Sequence, residues 1–392
     1  MIHKVAFVVQ RYGLEVNGGA ELQCRWIAEL MRHSWDVEVI TTCALDYMSW
    51  ANYYPEGEDE INGVRVRRFP VVTKRDIRAF NGLCEKVFRQ PHTRDDEIAW
   101  MRAQGPNAPK LTDYIAANRD SYDAFIFDTY LYETTFWALP LVADKAFLVP
   151  NAHDEPPVYL SIYDELFRQP KGFIFNTEEE KNFLVKRFDL DCTFSDVVGV
   201  GIKFDPSFLN YVSPGLKLPP NFLLYVGRID ESKGCKELFE FWEMYKKRQP
   251  NELKLALIGR SQMEIPRRHD IVELGFVSEE DKFFAMSKAK CLIAPSLFES
   301  LCMVIMESWL CGRPVLVNGR CNVLTGQCRR SNGGLWYRDY DEFEACLDLL
   351  ISDEGKGKRM ACCGKNYVQK NYDWGIIKKK YKQIVEGAMK PQ

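Results

Sequence analysis

Nothing in this chain approaches the uninterrupted run of ~18 apolar residues that a membrane-spanning helix needs. Its most apolar region, residues 124–149, is broken by Asp128, Glu133 and Asp144. The apolar run in residues 1–11 is too short for a secretory signal and stops at Gln10 and Arg11, so a cytoplasmic protein is expected. An excess of one charge is also missing. Lys and Arg number 52 against 55 Asp and Glu, a net charge of −3, which leaves no electrostatic footprint for nucleic acid. The thirteen cysteines are odd in number and scattered, with no C-x-x-C pair, and the five histidines have no zinc-like spacing. The cysteines therefore read as reduced, buried small side chains rather than as a disulfide or metal framework.

What is present is an ordinary globular composition, 46% hydrophobic and 27% charged, on a chain of 392 residues that is long for one core. Short β-branched runs at 4–9, 37–42, 123–127, 145–149, 172–175 and 196–200 read as strands. Residues 22–32, 157–168 and 178–188 between them read as helices. Alternation of this kind builds a parallel sheet with helices on both faces. Residues 204–221, with Pro206, Pro214, Pro219 and Pro220, break the rhythm as a linker does. A second series follows, with strands at 222–226, 253–258, 290–294 and 314–317 and helices at 236–248, 279–289 and 301–311. The expected fold class is α/β, two Rossmann-like doubly wound domains at 1–205 and 206–373. The helix-rich segment 74–110 reads either as a solvated excursion or as an acceptor-facing lobe.

In open parallel sheets ligands sit beyond the carboxyl ends of the strands. Gly18-Gly19 follows the first strand and opens a helix, where the backbone can approach an anion closely; the pattern is not G-x-G-x-x-G, so no dinucleotide fingerprint exists. Arg228 ends a strand, and Lys233 lies five residues on, before a helix; two cations so placed suit a diphosphate. Glu299 and Glu307 bracket the start of an apolar helix after a buried strand, an arrangement suited to a ligand with hydroxyls at one end and a phosphate in the middle. A glycosidase reading of these carboxylates leaves Arg228 and Lys233 without a task. His153 follows a buried strand among polar residues and prolines. The pairs Asp189/Asp191 and Asp339/Asp341 read as solvated turns, and no metal is expected.

With these residues assembled, the chain resembles the retaining family-four glycosyltransferases of the GT-B fold, in which two Rossmann-like domains face each other across a cleft. The resemblance runs from Asn17-Gly18-Gly19-Ala20-Glu21 through His153 and the 227–233 segment to Glu299 and Glu307. It implies that Glu307 binds ribose hydroxyls and Glu299 those of the transferred sugar. The amides of Ser300, Leu301 and Cys302 would face a phosphate, Arg228 and Lys233 would neutralise the departing diphosphate, and His153 would contact the donor sugar. Gly19 would approach the phosphate from the first domain, and the base would lie near Phe276 and Val277. The last helix, 374–392, would return to the first domain. Many relatives have Gly where this chain has Cys302; a helix N-terminus does not demand positive φ, so the amides are expected to serve with Cys there.

The implied donor is UDP-glucose first and GDP-mannose second, with a saccharide or lipid-linked acceptor and no further cofactor. The competing readings are a phosphorylase or epimerase of the same fold, and a non-catalytic nucleotide-sugar-binding assembly protein. The basic stretches 74–94 and 378–382 leave room for peripheral contact with an anionic membrane face.

Overall fold

The computed structural model describes residues 2–389. They form two compact units: Gly201–Asp373 is the second, and the rest of the described chain is the first. The final helix therefore belongs to the first unit. None of the described helices is long and apolar enough to cross a membrane.

The first unit is built on an eight-stranded sheet. Its strands are β1 (Lys4–Val8), β2 (Asp36–Thr42), β3 (Gly57–Ile61), β4 (Val64–Phe69), β5 (Ala124–Asp128), β6 (Ala146–Val149), β7 (Gly172–Phe175) and β8 (Asp196–Val197). Their spatial order is β3-β4-β2-β1-β5-β6-β7-β8, parallel except where β3 turns back on β4. Helices α1 (Gly19–Met31), α2 (Ile77–Arg89), α3 (Arg94–Gln104), α4 (Pro109–Ala117), α5 (Glu133–Ala138), α6 (Ile162–Leu166) and α7 (Glu178–Phe188) connect them. The central strands are buried on both faces, as near-continuous apolar runs such as Phe125-Ile126-Phe127 require.

The second unit repeats the plan with six parallel strands. They are β9 (Phe222–Val226), β10 (Lys254–Ile258), β11 (Ile271–Gly275), β12 (Leu292–Ala294), β13 (Val315–Asn318) and β14 (Gly334–Tyr337), in the order β11-β10-β9-β12-β13-β14. Helices α8 (Cys235–Arg248), α9 (Glu279–Lys288), α10 (Met303–Leu310), α11 (Asn322–Ser331), α12 (Tyr340–Ser352) and α13 (Glu354–Asn371) complete it. The last helix, α14 (Trp374–Met389), packs on the first unit: Trp374 meets Trp26 edge-on at 6.2 Å, and Lys380 pairs with Asp196 at 3.0 Å.

Three expectations need correction, and one element was missed. The segment 74–110 is not a solvated excursion, since Val87, Trp100 and Met101 sit in the first unit's core. The helix expected at 157–168 is a short 3₁₀ turn, Pro156–Tyr159, then α6; Leu160, extended at ψ 139, divides them. The strand expected at 196–200 ends at Val197, just ahead of Gly199 with φ 69. The antiparallel hairpin β3–β4 was not anticipated at all; Asn62 and Gly63, with φ 52 and 76, supply the two positive dihedrals that a tight hairpin turn needs.

Each sheet reverses its order of strand addition once: between β1 and β5 in the first unit, between β9 and β12 in the second. The loops after those strands diverge there and leave a crevice. In the second unit the two loops touch through Gly234, whose φ is 76 and where an added Cβ would lie 2.2 Å from the Pro295 carbonyl oxygen. Gly234→Ala should therefore lower unfolding stability by about 2–4 kcal/mol, from the left-handed strain and the backbone overlap together. Chemical denaturation checks this, and an unchanged midpoint would show that the loops can part freely.

Candidate functional site

At the crevice of the second unit, the loop after β9 is shaped by Asp230. Its buried carboxylate accepts from the Lys233 N–H at 2.9 Å and from Ser232 Oγ at 2.6 Å, and lies 3.4 Å from Arg228 Nε. One carboxylate thus sets the positions of both cations singled out in the sequence, and sequence reasoning passed over it. Facing this loop is the one after β12, where Lys233 Nζ reaches Glu299 Oε1 at 2.7 Å. Burial works against the Lys233 charge, but the Glu299 carboxylate outweighs it and holds the ammonium above the ordinary lysine range.

Glu307 lies in the second turn of α10, 4% exposed. Its Oε1 accepts from Lys282 Nζ at 2.9 Å; its Oε2 is buried and has no partner among the described residues. Burial pushes the Glu307 carboxyl above its usual range and Lys282 counteracts this. Lys282 also reaches Glu279 at 2.8 Å, and burial of its own charge is outweighed by the two carboxylates. The sequence carried no signal for Lys282, because the pairing joins α9 to α10 across 25 positions. A buried acceptor oxygen with no internal donor is costly unless water or a ligand supplies one.

The segment that leads into α9 carries Phe276 and Val277. Phe276 is 58% exposed and lies under the Arg260 guanidinium at 5.0 Å. Ser278 then caps α9, accepting from the Asp281 N–H at 3.1 Å. An exposed aromatic face with a cation on it is a stacking platform for a planar ligand.

Leu301 and Cys302 do not lie within the helix, which was expected to start at Leu301. The helix begins at Met303 and Cys302 is its N-cap, in the left-handed region at φ 65 and ψ 71, with no side chain capping the turn. The expectation that no positive φ is needed here is thus wrong: the chain must turn sharply between Glu299 and the helix, and glycine would do so without a Cβ penalty. Leu301 and Cys302 are buried, and Ser300 is half-buried.

In the first unit, Gly18 is the N-cap of α1 and Gly19 its first residue. An added Cβ at Gly18 would lie 2.1 Å from Glu21 Oε2. Glu21 holds Arg11 Nε at 2.9 Å and Gln10 Nε2 at 2.7 Å, so this glycine makes room for an ion pair. A carboxylate already occupies the neighbourhood of this helix start, where the macrodipole favours it. His153, after β6, has its Nδ1 3.1 Å from Glu155 Oε1. Gly18, Gly19 and His153 thus belong to the first unit, and all the other candidates to the second. Asp339 caps α12 and Asp189 terminates α7, as turn residues do. Among the described residues no three His, Cys, Asp or Glu side chains cluster as metal ligands.

Residues 212–367 match the model of the family described as glycosyl transferases group 1. A protein of Methanocaldococcus jannaschii described as an uncharacterized glycosyltransferase is 23% identical over 429 residues, covering 98% of both chains. Among solved structures, HepE of Anabaena in complex with UDP and glucose superposes with a TM-score of 0.69 at 16% identity, over 98% of this chain and 100% of that one. Sucrose-phosphate synthase of Thermosynechococcus elongatus gives 0.68 at 15%, over 98% of each. These likenesses establish the two-Rossmann GT-B architecture.

Two outcomes follow. Lys282→Met should weaken binding of a nucleoside diphosphate about tenfold or more by leaving Glu307 buried and unpaired, while pyrophosphate binding is unchanged; calorimetry with both ligands checks it. Cys302→Gly should raise stability by about 0.5–1 kcal/mol through relief of the left-handed strain. A lower denaturation midpoint instead would mean that the buried thiol's packing outweighs the strain.

Proposed function

We propose that this chain, a glycosyltransferase of group 1, transfers a hexose from a nucleotide-diphosphate sugar with retention of anomeric configuration and without a metal. The donor is UDP-glucose in first place and GDP-mannose in second, and the acceptor is a saccharide or a lipid-linked sugar. The observation that carries this reading is a pair of lysine–carboxylate contacts in the second unit, Lys233 with Glu299 and Lys282 with Glu307, with one Glu307 oxygen lacking a partner among the described residues. HepE of Anabaena, which shares the fold, is the protein seen with UDP and glucose.

In this reading Glu307 Oε2 accepts from a ribose hydroxyl, and the base stacks beside Phe276 and Val277. Arg228 and Lys233 stand against the diphosphate, where fixed cations stabilise charge that develops as the glycosidic bond breaks. The amides of Ser300, Leu301 and Cys302 face the phosphate at the start of α10, and Glu299 takes sugar hydroxyls. His153 and Gly19 are kept in this reading as donor-contacting residues on the family resemblance. The acceptor oxygen forms its bond to the anomeric carbon on the face from which the diphosphate departs. Its proton passes to a leaving phosphate oxygen, so no covalent glycosyl-enzyme forms.

For contact with an anionic membrane, part of the basic charge on each stretch is already engaged. Lys378, Lys379 and Lys382 line a groove on α14, but Lys380 turns inward to Asp196, and Lys86 and Arg94 pair with Asp96 and Glu165.

Calorimetric titration with UDP-glucose, UDP and GDP-mannose tests the site. Micromolar binding of one of them, lost in both Glu307→Ala and Arg228→Ala, is the expected result. Binding that survives both substitutions would sink the site as drawn, and binding without any turnover would favour a non-catalytic assembly protein. A glycosyl-enzyme adduct seen by mass spectrometry would rule out the front-face step.

A further inference from the structure

The carboxyl ends of three first-unit strands carry a buried polar network that the donor-site reading leaves unused. Asp128 closes β5, Asn151 and Ala152 follow β6, and Asn176 follows β7. Gln23 of α1 donates to Asn176 Oδ1 at 2.6 Å. Asn176 Nδ2 donates to Asn151 Oδ1 at 2.7 Å, and Asn151 Nδ2 to Asp128 Oδ1 at 2.8 Å. Each amide accepts on one side and donates on the other, so the orientation of one fixes the next. Asn151 stands in the left-handed region at φ 51, a conformation that persists where the surroundings over-determine it.

Glu180 completes the network. It lies in the first turn of α7 and is 2% exposed. Its Oε1 accepts from the Ala152 N–H at 2.7 Å and its Oε2 from the Asn176 N–H at 2.6 Å. A single carboxylate therefore ties the loop after β6 to the end of β7, and the residue after Ala152 is His153. Burial raises the Glu180 carboxyl to about 7, with the Asn176 and Ala152 N–H groups and His153 opposing the shift. The titratable groups that face it are His153 and Asp128; burial pushes Asp128 well above the carboxylate range, and Glu21 of α1 and Tyr381 of α14 stand around it.

We propose that Glu180 is the positioning residue for His153, fixing the loop after β6 through the Ala152 amide so that the imidazole is held in one place. This inference rests on the reading of His153 as a donor-site residue. Glu180 itself touches no reacting atom. Gln at this position keeps the size but sets an NH₂ group against one of the two backbone N–H donors, so one anchoring bond is lost.

The test pairs a structural readout with a kinetic one, on the full chain. In Glu180→Gln the amides of residues 150–154 should exchange with solvent about tenfold faster than in the wild type, with UDP affinity unchanged. With UDP-glucose as donor, kcat should fall about tenfold or more at nearly constant KM. Combined with His153→Ala, Glu180→Gln should cost nothing further, as expected for residues that act as one unit. The ionised carboxylate is the better acceptor, so wild-type kcat should fall as pH drops through about 7, and that limb should vanish in Glu180→Gln. Unchanged exchange would overturn the proposal, as would a multiplicative loss with His153→Ala or an acid limb that persists in Glu180→Gln. Should Glu180→Gln not fold, Glu180→Asp, which keeps the charge but shortens the reach, must show the same exchange increase. If the wild type turns over no donor, the donor-site reading of His153 falls, and the exchange result alone decides whether Glu180 anchors the loop.

Discussion

The Pro295 carbonyl oxygen lies where a side chain at residue 234 would have to be, and the candidate site in the second unit depends on that contact. There the loops after β9 and β12, which belong to strands flanking the reversal of strand order, touch at one point of the crevice that they line. A second close approach acts beside it: a Cβ at Gly259 would fall 1.8 Å from the Gly227 carbonyl oxygen, so the ends of β10 and β9 are also pressed together. Three loops remote in sequence are thereby held at one edge of the sheet. The cations of one then lie within reach of the carboxylates of another, and a preorganised charge arrangement becomes possible without long, flexible reaches.

The two ion pairs built on this frame differ in a way that matters chemically. Lys233 and Glu299 retain some access to solvent, with side chains 30% and 13% exposed, whereas Lys282 and Glu307 are 13% and 5% exposed. A partly solvated pair can exchange partners at modest cost when a charged ligand arrives. A buried pair is held rigidly, because separating it would leave an uncompensated charge in low dielectric. In the proposed function Lys233 would therefore trade its carboxylate for a phosphate, while Glu307 would stay fixed and accept from a hydroxyl with its other oxygen. The first unit uses the same principle with neutral groups: amide-to-amide bonds fix direction where the second unit fixes charge.

Much of this was legible in the chain itself, and the misses have physical causes. Strands β1, β7 and β9 stood out because strands buried on both faces are short, continuous apolar runs bounded by turn residues. Glu299, Glu307, Arg228 and Lys233 stood out because they flank such runs. Lys282, Asp230 and Glu180 did not, since their importance lies in partners brought close only by folding. The hairpin at Asn62-Gly63 is a different case: its turn pair is a strong local signal, but the flanking strand Gly57–Ile61 is acidic and exposed and does not look like a core strand. The conformation of Cys302 could not be read from residue type, which argued against the dihedral that the sharp turn imposes.

That same acidic strand has a consequence for the molecule in company with its own copies. β3 is the outermost strand of the first sheet, and the outer edge of such a strand exposes backbone groups able to recruit another chain. Glu58, Asp59 and Glu60 line it, while the arginines that balance them, Arg67 and Arg68, belong to its inner neighbour. A second copy approaching edge to edge would meet like charge on a strand only five residues long. The hairpin thus closes one border of the sheet against cross-molecular pairing and aggregation.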